Sequence, residues 1–123
     1  MSAQVESGAG ANLRERAFEF SCAVVELHRF IYKAELALRN ASAQPSAAAT
    51  SIGANLEEAD AAQSRADFIS KCNISLKEAR EARYWLRILE RFIKSDRLRV
   101  LIHEATELIA ILTTIVRKSR ENK

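Results

Sequence analysis

With 3 Gly and 1 Pro in 123 residues, against about 9 and about 6 at average usage, the chain lacks the residues that build tight β-turns and phosphate-cradling loops. A β-sandwich, a Rossmann unit and a P-loop are close to excluded, and an all-helical protein is left. A net charge of +3, from 19 Lys and Arg against 16 Asp and Glu, permits contact with nucleic acid without demanding it.

Residues 1–11 read as a disordered leader, without the basic and apolar regions of a secretion signal. No uninterrupted apolar stretch reaches the ~18 residues that a membrane span needs. No membrane partner is expected, and the expected compartment is the cytoplasm. Asn12 with Glu15 resembles a capping box. Leu13, Ala17, Phe20, Val24, Leu27, Ile31, Ala34 and Leu38 follow at alternating spacings of 4 and 3. This heptad seam predicts a first helix over 13–40. Ser42–Pro45 is expected to break it, because proline lacks an amide proton and suits the first turn of the next helix. The second helix, over 45–62, places Ala48, Ile52, Asn55, Leu56 and Ala59 on one face. Ser64 with Asp67 caps a third helix over 65–94. Its inward stripe is Phe68, Cys72, Leu76, Ala79, Ala82, Leu86, Leu89 and Ile93. Ser95-Asp96 opens the fourth helix, whose apolar face runs from Leu98 to Val116. Lys118 and Arg120 near its end suit the negative pole of the helix dipole. Together these form a single-domain, all-α, antiparallel up-down-up-down four-helix bundle over 12–120. Cys22 and Cys72 make no Cys-x-x-Cys and fall at largely apolar positions, which predicts buried, reduced thiols.

Two helices carry more apolar surface than one core face requires. On the first, Phe18, Cys22, Val25, Tyr32 and Leu36 form a second stripe on the order of 130° from the seam. On the third, Ile74, Trp85, Ile88 and Phe92 do the same, on the order of 120° away. Either the bundle is thick and buries wide arcs, or these stripes meet other subunits. Aromatic-rich exposed surface favours association into a homo-oligomer, with Trp85 as its natural anchor.

Chemistry of the catalytic kind has little footing. A carboxylate-bridged metal site needs Glu-x-x-His on two helices, but Val25 and Val100 stand three residues before His28 and His103. No metal, cofactor or catalytic residue is expected. Glu57, Glu58 and Asp60 read as a solvated acidic helix end, and the serines and threonines have no matching histidine motif. Asn55, on an apolar face, needs a hydrogen-bond partner and is expected to fix helix register from the core. The third helix carries a basic stripe instead: Lys77, Arg80, Tyr84, Arg87, Arg91 and Lys94 recur at spacings of 3 and 4. Such a row can follow a phosphate backbone, with tyrosine stacking on a base. The other readings are a solvated face or ion pairs between subunits.

The run Thr50-Ser-Ile-Gly-Ala-Asn-Leu-Glu-Glu-Ala59, with Ser64–Ile69 and Ser75–Leu86, resembles the bacterial four helix bundle protein family. Its founding members are encoded by intervening sequences in large-subunit ribosomal RNA genes. The resemblance covers about residues 13–116 and centres on Ser51, Ile52, Asn55 and Glu58. Ala47-Ala48 stands where members usually carry an Arg-Ser pair, so Glu58 is left to solvent, Arg65 or Arg83. The resemblance implies a ring-like homopentamer. It also implies kinship with the accessory protein of diversity-generating retroelements, a basic pentamer that works with a reverse transcriptase and nucleic acid. The expected function is a non-enzymatic, homo-oligomeric module that binds RNA, DNA or an RNA-handling protein. The alternative is a protein-directed scaffold with no nucleic-acid role.

Overall fold

The computed structural model describes the backbone of residues 3–122 and the side chains of residues 12–122. Among these residues there is no strand. The elements are α1 (Ala3–Ala34), a 3₁₀ turn (Leu36–Leu38), α2 (Arg39–Asp60), α3 (Arg65–Phe92) and α4 (Asp96–Glu121). α2 packs on α1 and α3, α3 packs on α4, and α1 touches α4 more lightly. None of these helices is long and apolar enough to cross a membrane.

The heptad seam of α1 is buried from Leu13 through Ile31. Helical backbone begins at Ala3, so most of the expected leader continues α1 and Asn12 is no cap. Gly8 and Gly10 weaken a helix without breaking it. Met1, Ser2 and the side chains through residue 11 lie outside the described residues.

The first turn comes about two helical turns before the expected Ser42–Pro45 break. Ala34 is already exposed, so extending α1 would bury nothing more. The Arg39 guanidinium donates from Nε to the Tyr32 carbonyl at 2.6 Å, and its carbon sits 4.0 Å from the Tyr32 ring centroid. It thereby satisfies a carbonyl that the ending helix leaves open. Pro45 lies inside α2, buried with Ser42, Ala48 and Ala49. Packing on two neighbours offsets an interior proline that costs about 3 kcal/mol in an isolated helix.

α2 approaches its neighbours closely because it is built of small residues. A Cβ at Gly53 would meet Ser21 Oγ at 3.6 Å and Ala17 Cβ at 3.9 Å. Serines tie α2 in place. Ser21 Oγ donates between Ala17 O (2.8 Å) and Ala49 O (2.9 Å), and Ser75 Oγ donates to Ile52 O at 2.9 Å. Ser42 Oγ lies 3.1 Å from Arg39 O and shares a hydrogen bond of 2.7 Å with His28 Nδ1, which ties α2 to α1. Ser42 and Ser75 are buried polar residues, and no buried side-chain polar atom lacks a partner among the described residues.

Asn55 does not do this work. It is half-buried, and its Nδ2 donates within α2 to Ser51 O (2.9 Å) and Ser51 Oγ (3.1 Å). The register bonds between helices come from the serines. Ser64 caps α3 as the sequence predicts, accepting from Asp67 N at 3.0 Å. Cys72 is buried and Cys22 is exposed. Cys22 belongs to the outer stripe of α1, so its apolar neighbours do not enclose it.

Candidate nucleic-acid interface

α3 forms because its cap is strong, its inward positions are apolar and small, and its outer positions are mostly long charged residues that favour helix. Arg65 to Phe92 is a rigid 28-residue rod. Lys77, Arg80, Tyr84, Arg87 and Arg91 are exposed on it. The helix ends at Phe92 and Ile93 is extended, so Lys94, expected on the same helix, is exposed just past its end. None of the row's five cations forms an ion pair among the described residues, with Glu78, Glu81 and Glu90 included.

Two hydrogen bonds orient the row around the bundle. Ser75 reaches α2 through Ile52, and Arg83 Nη1 reaches α4 through Thr106 Oγ1 at 3.4 Å. At about 100° per residue, the basic row falls on the α4 side of the outer face. Ile74, Trp85, Ile88 and Phe92 fall on the α2 side. The two stripes adjoin on the outer face, where Tyr84 sits beside Trp85, and are centred on opposite sides of it.

The α4 side adds cations that a reading of α3 alone does not reveal. Arg99, Thr106 and Thr113 are seven residues apart and share one helical row. Arg117 lies one turn beyond, and all four are exposed. The Arg83–Thr106 bond places this row beside the α3 cations. Arg99 also pairs with Asp96, whereas Arg117 forms no ion pair among the described residues. The signal was present as an i, i+7 row in α4, but its alignment with α3 depends on the bundle register.

The second stripe of α1 is also on the surface. Leu36 is 73% exposed and Phe18 59%, and Tyr32 and Val25 are exposed to a lesser degree. On α3, Ile74 is exposed and Phe92 is 68% exposed, while Trp85 and Ile88 are half-buried. The single chain does not bury these arcs. Ser21 bonds to α2 and Arg16 to α4, which puts the α1 stripe on the side toward α2. Both apolar stripes thus flank α2, on the side away from the α3–α4 cations.

The remaining polar features are structural. Arg16 grips Glu104 through two bonds, Nη2 to Oε1 at 2.6 Å and Nε to Oε2 at 3.0 Å. The hydrogen bond to Glu104 raises the Arg16 pKa further above its ordinary value. Beneath this pair an open groove of about 380 Å³ lies between α1 and α4, floored by Phe20, Ala23 and Leu101. Arg14 pairs with Asp60 at 2.5 Å. Ile52 is fully buried, while Glu58 is exposed and pairs with neither Arg65 nor Arg83. Burial pushes the Cys72 thiol up to about 11. Among the described residues, no three His, Cys, Asp or Glu side chains converge as metal ligands.

A crystal structure from Bacteroides thetaiotaomicron, of a protein with unknown function from the S23 ribosomal protein family, is 40% identical to this chain with a TM-score of 0.78. The likeness covers 85% of this chain and 97% of that one. No curated protein matches the chain. The family model for 23S rRNA-intervening sequence proteins matches residues 11–114, which includes the Ser51–Glu58 core, the capped start of α3 and the whole basic row from Lys77 to Lys94. The chain belongs to the 23S rRNA-intervening sequence protein family.

Proposed function

We propose that this protein is a non-catalytic, cytoplasmic, homo-oligomeric module that binds RNA through the outer face of α3 and α4. One observation carries the reading. Lys77, Arg80, Arg87 and Arg91 are exposed along one side of α3, with Lys94 just past its end, and none forms an ion pair among the described residues. Unpaired cations in a row attract a polyanion and release its counterions on binding. The exposed apolar stripes flanking α2 supply the surface for self-association, and the resemblance implies five subunits in a ring. Because those stripes are centred toward α2, assembly through them leaves Arg80, Arg87 and Arg91, which lie toward α4, open. A reverse transcriptase or another RNA-handling protein fits the same arrangement as a further partner.

The test is fluorescence anisotropy of a labelled RNA at low salt, comparing the wild-type chain with Arg80, Arg87 and Arg91→Glu. Wild-type binding that weakens with salt and is lost in the triple variant supports the proposal. Undiminished binding in the variant removes it. A scaffold without a nucleic-acid role gives no binding in either protein. The exposed aromatics of α1 and α3 favour that second reading, because they suit protein contact.

A further inference from the structure

Resting on the RNA-binding reading, we infer that the basic face selects double-helical RNA over single strands. The choice depends on what lies among the cations. Surfaces that hold single strands present successive aromatic rings on which bases stack. Here Tyr84 is the sole aromatic residue of the row, and its ring meets Trp85 edge-on with centroids 5.8 Å apart. Trp85 and Phe92 belong to the α2 side of α3, and Phe30 lies on α1 with Arg97 over its ring. The face therefore offers charge without a stacking platform.

Its shape points the same way. Lys77 to Arg91 covers roughly 21 Å of helix axis at ~1.5 Å per residue. The facing row on α4 carries Arg99 at one end and Arg117 toward the other. On the α4 row that faces α3, the exposed residues between them are small: Thr106, Ala110 and Thr113. The result is one straight line of cations on α3, flanked across a row of small side chains by Arg99 and Arg117 on α4. A duplex presents its phosphates in rows already fixed, so a rigid face meets it without first ordering a flexible strand. Double-stranded RNA is read through such shape, phosphate and 2′-hydroxyl contacts.

The hydroxyls specify the sugar. Thr113 Oγ1 donates its proton inward to Ile109 O at 2.7 Å, and Thr106 Oγ1 donates to Ile102 O at 2.9 Å. Thr106 oxygen already accepts from Arg83. The exposed Thr113 oxygen, which accepts no bond among the described residues, can still accept one. A ribose 2′-hydroxyl donates to such an acceptor, and deoxyribose has none.

The experiment compares three probes of the same sequence: an RNA duplex, its single strand and the DNA duplex, each of about 16 nucleotides or base pairs, the span of a shape-reading double-stranded RNA module. Anisotropy is read with the full chain at low salt. The RNA duplex is expected to bind at least tenfold tighter than either other probe. Arg99→Glu with Arg117→Glu is expected to lower that affinity tenfold or more. Equal or tighter binding of the single strand overturns the duplex assignment and leaves RNA binding standing. Equal binding of the DNA duplex overturns the sugar preference. Absence of binding to every probe overturns the proposed function itself, and this inference with it. Helical content by circular dichroism confirms that each variant is folded.

Discussion

Ser75, fully buried on α3, donates its hydroxyl proton to the carbonyl of Ile52 on α2 at 2.9 Å. Ile52 is itself fully buried, so the bond lies where α2 and α3 meet. It fixes their register from within. Ser75→Ala removes the donor and leaves a carbonyl that sits within a helical ladder. The expected loss is about 1 kcal/mol, the net worth of one such bond. Ser75→Leu overpacks the same site and is expected to cost about 1–3 kcal/mol. Urea denaturation of the two variants checks the order, and equal stability of Ser75→Leu and wild type would contradict the packing described.

Gly53 gives the opposite sign. An added methyl meets its nearest neighbours at 3.6 Å and beyond, which is ordinary contact. Gly53→Ala is therefore expected to stabilise by up to about 1 kcal/mol through helix propensity. Gly53→Leu must push α1 away at Ala17 and Ser21 and is expected to destabilise. Thermal melts of both variants measure this. A lower melting temperature for Gly53→Ala would show that α1 and α2 pack more tightly than described.

The two thiols report burial directly. Cys22 is expected to react with a thiol reagent in the folded protein, whereas Cys72 reacts only when the chain opens. Burial raises the folded Cys72 pKa from 9.0 to about 11. Its neutral form is then favoured in the fold, while the unfolded thiol ionises first as pH rises. The linked stability is fully present below pH 9 and is lost as pH rises toward 11. Cys72→Ala is expected to flatten the decline in stability across that window. An unchanged slope would place the linkage elsewhere.

The self-association proposed for the apolar stripes has its own readout. Light scattering at micromolar concentration is expected to give a mass several times that of one chain. Val25→Asp with Phe92→Asp places charges on both stripes and is expected to return the mass to that of one chain. A wild-type monomer would contradict the assembly.

Much of the architecture was legible in the sequence because local and tertiary preferences agreed there. Ser64 and Asp67 cap α3, and the heptad seam of α1 is buried as spaced from Leu13 through Ile31, though not at Ala34 and Leu38. The first turn was not legible, since Glu35–Leu38 carries no breaking residue and Pro45 does. There the side chain of Arg39 and the burial of Ser42 and Pro45 override the proline signal. Asn55 attracted the register role because an amide on an apolar face is conspicuous, yet small hydroxyls bond between helices at shorter range. The α3 cations follow from spacing alone. Arg83, Arg99 and Arg117 join them only through the alignment of α3 with α4, which periodicity within one helix does not encode.

The account rests on both helices touching the same RNA, and its salt dependence tests this most directly. Each lost phosphate contact lowers the slope of log K against log salt by about 0.7 to 0.9. Arg87→Ala on α3 and Arg117→Ala on α4 are each expected to lower the slope by about that much. Lys33→Ala, at the exposed end of α1, is expected to leave it unchanged. A slope that Arg117→Ala or Arg87→Ala does not alter, or that Lys33→Ala alters equally, would contradict an interface on α3 and α4.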